Sequence, residues 1–289
     1  MSGYANPQAL VETEWVARHL DDPRVKVVEV DVDTEAYYED GHIPGALCWD
    51  WQRDLQDPVR RDILDREQME ALLSRSGIGN EDTIVLYGDH HNWFAAYAYW
   101  QLKFYGHEDV RLMNGGRQKW VAEGRPLTLE IPQPAPSAYR ITRMREELRA
   151  KQPFVLESIG RRALVDVRSP QEFRGEMVAP PGMQETAQRA GHIPTAVNVP
   201  WSHAVNEDGT FKPAEELRRL YAAVGVTPDK AVITYCRIGE RSSHTWFVLK
   251  ELLGFKDVRN YDGSWTEWGS MVGTPIENPS AARTGEKGR

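Results

Sequence analysis

Slid against itself, the chain matches its own sequence at an offset close to 150 residues. Residues 41–51 (GHIPGALCWDW) align with 191–201 (GHIPTAVNVPW), keeping Gly, His, Ile, Pro, Ala and the final Trp. Residues 84–120 align with 232–268 at an offset of 148 without a gap, pairing Tyr87 with Tyr235, Gly106 with Gly254, Gly115 with Gly263 and Trp120 with Trp268. Solenoid units run to roughly 20–50 residues, so a period this long means a duplicated domain, not a repeat array. The length of 289 residues agrees, being about twice the roughly 150 residues that serve as a prior for one domain.

Within each copy, short apolar runs alternate with helix-like stretches. The runs cover residues 25–32, 46–49, 83–87 and 110–115 in the first copy, and 163–167, 196–200, 231–235 and 258–263 in the second. Strand, helix, strand at this spacing predicts parallel pairing through right-handed crossovers, hence an α/β fold in which each copy is a parallel sheet flanked by helices. Residues 123–139 carry a proline-rich stretch that reads as an extended linker. We therefore expect a first domain over 1–130, a second over 140–277 and a disordered tail over 278–289. Residues 175–191 read as a loop inserted into the second copy.

Composition removes several function classes. The net charge is −8 and no Lys/Arg run lines a face, which argues against a nucleic-acid partner. The longest apolar run, 93–100, has eight residues against the roughly 20 of a membrane helix. The opening residues lack the apolar stretch of a secretion signal, so no membrane partner and a cytoplasmic location are expected. Two cysteines, Cys48 and Cys236, exclude a disulfide framework and a zinc site built on several thiolates. No metal site is expected: His90 and His91 are adjacent in sequence, and neighbours seldom converge on one ion.

Cys236 follows the apolar run AVITY and precedes RIGERS and a helical stretch over 242–253. A strand-to-helix turn at the carboxyl end of a parallel strand opens into a crevice, and the first N–H groups of the next helix have no intrahelical partner. A thiol there meets the helix dipole together with Arg237 and Arg241, which predicts a pKa lowered from about 8.5 toward neutrality. Gly239 lets the loop curl, and Ser242 and Ser243 are placed to cap the helix or to turn a hydroxyl toward the sulfur. Glu240 is expected to pair with an arginine or to face solvent. We read Cys236 as a nucleophile and Cys48, between Leu47 and Trp49 with no charge beside it, as a buried structural thiol. His42 and His192 recur in both copies, including the copy without this thiol, and so read as fold elements. Asp166 and Arg168 read as an ion pair that braces a loop.

CRIGERS before a helix, the duplicated GHIP-x-A and DVRSPQEF in the second half together resemble the tandem-domain rhodaneses, the thiosulfate sulfurtransferases. The resemblance spans both copies. It implies two rhodanese (Cdc25-like) domains, of which the second is catalytic, and a cysteine persulfide intermediate that needs no metal or organic cofactor. Gly88 stands where Cys236 stands in the other copy, so the first domain is expected to be inactive. The implied donor is a small sulfur anion, thiosulfate, held by Arg237, Ile238, Gly239, Glu240, Arg241 and Ser242, with Arg174 within reach. The implied acceptor is cyanide or a thiol. The overall negative charge does not oppose this, since local donors outweigh surface charge screened over a Debye length of roughly 8 Å.

Three alternatives are separable on residues. Cysteine phosphatases and arsenate reductases use Cys-x5-Arg, whereas Cys236 to Arg241 is Cys-x4-Arg. Enzymes that take 3-mercaptopyruvate typically carry a Cys-Gly-Ser-Gly-Val loop and an arginine before the Phe of the strand-exit motif. Here the loop is charged and Glu172 precedes Phe173, although Ile238 replaces the lysine of vertebrate thiosulfate enzymes. A non-catalytic rhodanese binding module would be expected to lose the cysteine or its arginines in both copies.

Overall fold

The structure, a computed structural model, describes residues 3–182 and 186–281. The chain divides into two units, one made of Asn6–Glu146 with Asn206–Phe211, the other of Met1–Ala5, Glu147–Val205 and Lys212–Arg289. The first unit holds β1 (Leu10–Val11), β2 (Val25–Asp31), β3 (Leu47–Asp50), β4 (Thr83–Tyr87) and β5 (Val110–Met113). They form one sheet in the order β1-β5-β4-β2-β3 with every pairing parallel. The second holds β6 (Ala163–Asp166), β7 (Val197–Asn198), β8 (Val232–Tyr235) and β9 (Val258–Asn260), in the order β7-β6-β8-β9 and again parallel.

The sheets are the same sheet twice, because β2, β3, β4 and β5 correspond to β6, β7, β8 and β9. Where the first adds β1 beside β5, the second has a single parallel bridge, Arg149 to Asn260. Covered on both faces, the central strands are mostly apolar without a strict alternation; all four residues of β8 and the last four of β4 are buried. Each core closes on the duplicated residues. Trp120 and Trp268 are fully buried, and each indole N–H donates to a proline carbonyl, Pro126 at 3.0 Å and Pro275 at 2.9 Å. Arg189, in the inserted loop, donates to the carbonyls of Trp268, Gly269 and Thr274 and so satisfies the end of the helix Ser264–Trp268.

The boundary between units falls at Glu146 and Glu147, beyond the expected linker near residue 130. The proline-rich stretch is bound to the first unit along its length. Thr128 forms an antiparallel bridge with His42, Ser137 N–H donates to the Ser74 carbonyl, and Arg145 N–H donates to that of Phe104. Prolines remove donors but leave every carbonyl and the neighbouring N–H groups free to bond, so an extended segment can lie along a surface instead of spanning open solvent. Of the expected tail, residues 282–289 lie outside the described residues. Ser280 N–H donates to the Arg174 carbonyl, and Asn278 Nδ2 donates to that of Ala190. Residues 183–185 of the inserted loop also lie outside the described residues.

The GHIP element has the same seat in both units. Ile43 N–H donates to the Tyr87 hydroxyl and Ile193 N–H to that of Tyr235, each at 3.2 Å. The rings of His42 and His192 stack on Tyr37 and Phe173 at centroid separations of 3.7 Å. Their Nδ1 atoms bond the backbone carbonyls of the same two residues. Both histidines are therefore fold elements. Among the described residues, no helix is long and apolar enough to cross a membrane.

Candidate active site

Cys236 immediately follows β8 and is fully buried. Its N–H donates to the Ser264 hydroxyl at 3.0 Å, and its carbonyl accepts from Trp265 N–H at 3.1 Å. The backbone then turns at Gly239, whose φ of +101° lies in the region open to glycine. A Cβ at that residue would stand 3.0 Å from the Asp262 backbone. This turn aims Gly239 N–H at the Cys236 sulfur, 3.1 Å away, and starts the helix Glu240–Phe247, which continues as a wider π turn over Val248–Leu252.

Glu240 and the two serines make contacts beyond those expected of the loop. Glu240 pairs with Arg241, Oε1 to Nε at 3.3 Å, but it also turns Oε2 to the sulfur, and the Cys236 thiol donates to it at 3.2 Å. Ser242 and Ser243 do not cap the helix. The Ser242 hydroxyl lies 2.7 Å from Asn260 Oδ1 and 3.0 Å from the Gly239 carbonyl, and that of Ser243 donates to the same carbonyl at 2.8 Å. Both hydroxyls thus tie the first helical turn back to Gly239 and to β9, and that of Ser242 also bonds the Cys236 sulfur, as one of the two expected arrangements has it. The thiol pKa is raised, not lowered. Burial is the largest cause and the Glu240 carboxylate the second, and together they outweigh Arg241 and the hydroxyl and N–H of Ser242, which favour the thiolate.

The arginines differ in role. Arg241 is buried, with its Nη atoms 3.3 and 3.4 Å from the two oxygens of Glu172. Glu172 is itself fully buried, and its Oε2 accepts from Ser169 N–H at 3.0 Å. Burial raises the Glu172 pKa, but Arg241, Arg168 and the Ser169 N–H outweigh it and hold the carboxyl below its ordinary value. Arg237 is nearly buried, and its carbonyl accepts from the N–H and hydroxyl of Thr266. Ile238 is buried within the loop. Arg174 is half-buried and paired with Glu176 at 2.7 Å. Asp166 and Arg168 form a fully buried pair, 2.6 Å apart. Arg168 also lies 4.4 Å over the Trp265 ring.

Glu172, Asn260 and Ser264 are the site residues that loop reading alone overlooks. Comparing Gly115–Gly116 with Gly263–Ser264 offers a signal for the last of them. Both copies hold a positive φ at the second position, +58° for Gly116 and +51° for Ser264. A serine tolerated where glycine is easier indicates that its hydroxyl has a task, here accepting the Cys236 N–H.

In the first unit, Gly88 occupies the place of Cys236. Its N–H donates to Asn92 Oδ1 at 3.0 Å, and a Cβ there would lie 2.4 Å from the Val30 carbonyl oxygen. Cys48 is half-buried, and burial, followed by Glu29 and Asp31, pushes its thiol up to about 12.

The model of the rhodanese-like domain matches residues 12–123 and 149–271. This chain belongs to the rhodanese-like family. The two matched segments are the two copies, each with its parallel sheet. The chain is 60% identical over 280 residues to "Sulfur carrier protein TtuD" of Thermus thermophilus, covering 95% of this chain and 98% of that one. It is 58% identical to "Putative thiosulfate sulfurtransferase" of Saccharopolyspora erythraea, covering 94% and 97%. Among solved structures, the anaerobic ergothioneine biosynthesis enzyme of Chlorobium limicola superposes with a TM-score of 0.85 at 27% identity, covering 96% of this chain and 72% of that one. The 3-mercaptopyruvate sulfurtransferase SseA of Escherichia coli gives 0.77 at 26% identity, covering 89% and 98%. This rhodanese-like protein is a sulfurtransferase.

Proposed function

We propose that this sulfurtransferase takes the outer sulfur of thiosulfate onto Cys236 as a persulfide and passes it to cyanide or to a thiol. The observation that carries the reading is the Cys236 sulfur, set at the end of β8 with the Gly239 N–H aimed at it from 3.1 Å and with Arg237 and Arg241 in the same loop. Such a turn presents fixed donors where negative charge collects.

The thiolate attacks the outer sulfur of the donor, a sulfur–sulfur bond forms, and the bond to the sulfonate group breaks, so that sulfite departs with the electron pair. The acceptor then attacks the persulfide's outer sulfur and returns the thiolate. Arg237, Ile238, Gly239, Arg241 and Ser242 form the cradle in this reading. Arg174 has a lesser part, because its guanidinium is engaged with Glu176. The first domain takes no part in the chemistry, since Gly88 offers no thiol.

Thiosulfate is favoured over 3-mercaptopyruvate by Glu172. A carboxylate, not an arginine, precedes Phe173, and it spends its charge on Arg241. The sulfur-carrier name of the Thermus relative supports a protein thiol as the acceptor, in a reducing cytoplasm. Intact mass after incubation with thiosulfate tests the proposal. We expect one added sulfur atom, removed by cyanide and absent in Cys236→Ser. Loading by 3-mercaptopyruvate alone would overturn the donor, and loading by neither would overturn the nucleophile.

A further inference from the structure

A buried thiol must lose its proton before it can attack, and its surroundings narrow the possible destinations. Around the Cys236 sulfur, Gly239 supplies an N–H, which only donates. The Ser264 hydroxyl lies 4.0 Å from the sulfur, donates to the Tyr261 carbonyl at 2.7 Å and accepts the Cys236 N–H. The Ser242 hydroxyl bonds Asn260 and the Gly239 carbonyl and also acts on the sulfur as a donor that favours the thiolate, and guanidinium groups have no acceptor. Among the described residues, the group that accepts from this thiol is Glu240 Oε2, 3.2 Å away.

We infer that Glu240 is a catalytic residue, the general base that takes the Cys236 proton when the sulfur donor arrives and gives it back after the acceptor leaves. The inference rests on Cys236 being the sulfur-carrying nucleophile. Glu240 is itself buried, and its other oxygen stands in ion-pair range of Arg241 Nε at 3.3 Å, which favours the rotamer that turns Oε2 to the sulfur. Arg241 is fixed in turn by Glu172, and behind it stands the Asp166–Arg168 pair. On the other side of Gly239, Asp262 is paired with Arg149 at 2.7 Å. The remaining charge at the loop is Arg237.

The proton balance follows. Transfer from Sγ to Oε2 leaves a thiolate beside a neutral carboxylic acid. The thiolate and the thiosulfate dianion give a persulfide anion and a sulfite dianion, and the total charge is unchanged. Protonated Glu240 removes one negative charge from the path of a dianion and supplies an O–H that can donate to the persulfide. When cyanide carries off the outer sulfur as thiocyanate, the thiolate recovers its proton from Glu240.

A carboxylate beside a thiol also opposes thiolate formation, and that simpler role makes the contrary prediction. Glu240→Gln and Glu240→Asp separate the two, read by single-turnover persulfide formation and by iodoacetamide alkylation of Cys236 between pH 5 and pH 10. For Glu240→Gln we expect persulfide formation at pH 7 to fall on the order of 10²-fold, the lower end of general-base effects. Its rate should then climb about tenfold per pH unit toward the thiol's own ionisation. Glu240→Asp should keep the wild-type profile at reduced amplitude. Loading at pH 7 that is equal or faster in Glu240→Gln would overturn the inference and leave Glu240 as a like charge only.

Should Glu240→Gln lose its fold, Glu240→Asp decides. It keeps the charge beside Arg241 while withdrawing the oxygens from sulfur, so unchanged loading at unchanged melting overturns the inference. Alkylation needs no sulfur donor. A Glu240-dependent alkylation profile without thiosulfate loading would therefore overturn the donor assignment and leave the base in place.

Discussion

Arg117 and Arg168 do the same work from different places in the two copies. Arg117, in the helix Gly116–Ala122, donates Nη2 to the Gly41 carbonyl at 2.6 Å. Arg168, just after β6, donates Nη2 to the Gly191 carbonyl at 2.7 Å, and Gly41 and Gly191 are the equivalent first residues of the GHIP element. Each guanidinium is paired with the buried acid on the strand behind it, Arg117 with Glu29 at 3.2 Å and Arg168 with Asp166 at 2.6 Å. Trp265 stands at the position of Arg117 and covers Arg168 instead. The duplication has kept the position of a positive charge while changing the residue that brings it.

That relationship makes Arg168 a support for the fold. Removing one partner of a buried pair leaves the other charge uncompensated at a cost of about 3–5 kcal/mol. Arg168→Gln is expected to lower stability by that order in denaturant titration. Asp166→Asn combined with Arg168→Gln should recover part of the loss, a recovery that an arginine acting only on substrate would not show.

The first unit's acid, Glu29, sets a pH dependence of stability. Burial raises Glu29 to about 7, against the lowering effect of Tyr87 and Arg117. With the folded pKa above the unfolded one, the folded state binds the extra proton between about pH 4.5 and 7, so stability falls as pH rises through that window. We expect Glu29→Gln to remove this slope. The stability difference between wild type and variant should change by up to about 3 kcal/mol between pH 4.5 and 8, measured by chemical denaturation at each pH.

Much of this was legible in the residues. The duplication and the apolar runs gave both parallel sheets, with β4 matching its expected bounds at Thr83–Tyr87. Cys236, Gly239 and Arg241 fall together because they lie on one continuous loop, where sequence neighbours are spatial neighbours. The direction of the Cys236 pKa was not legible. The dipole and arginine argument counts charges along the chain, whereas the thiol responds to complete burial and to the rotamer that turns Glu240 Oε2 onto it. Glu172, 69 residues away in sequence from Arg241, was also out of reach, since only the packing of one strand exit against another brings a carboxylate to that guanidinium.

Ser264 offers a test of how the loop is held. It carries a strained φ of +51°, and its hydroxyl accepts the buried Cys236 N–H. Ser264→Ala keeps the strain and orphans that N–H, a loss of about 1–3 kcal/mol. Ser264→Gly loses the same acceptor but relaxes the backbone, which is worth roughly 1–2 kcal/mol for a left-handed residue. Glycine stands at the equivalent residue 116, so the expected order of melting temperatures is wild type, then Ser264→Gly, then Ser264→Ala. An alanine variant as stable as the glycine variant would remove the strain from the account.

Placing a thiol in the first copy tests the proposal that this copy takes no part in the chemistry. A Cβ at Gly88 meets the Val30 carbonyl at 2.4 Å and both Asp31 oxygens at 3.1 Å, and the loop beyond it follows its own course, with His90, His91 and Asn92 all at positive φ. Its backbone N–H donates to Asn92 Oδ1, where that of Cys236 donates to the Ser264 hydroxyl. Gly88→Cys therefore places a thiol against a backbone carbonyl and a carboxylate. We expect it to cost about 1–3 kcal/mol through overpacking and to leave the added mass after thiosulfate at one sulfur atom per chain. A second sulfur atom on the variant, retained when Cys236 is also changed to Ser, would show that the first fold needs only a thiol to act.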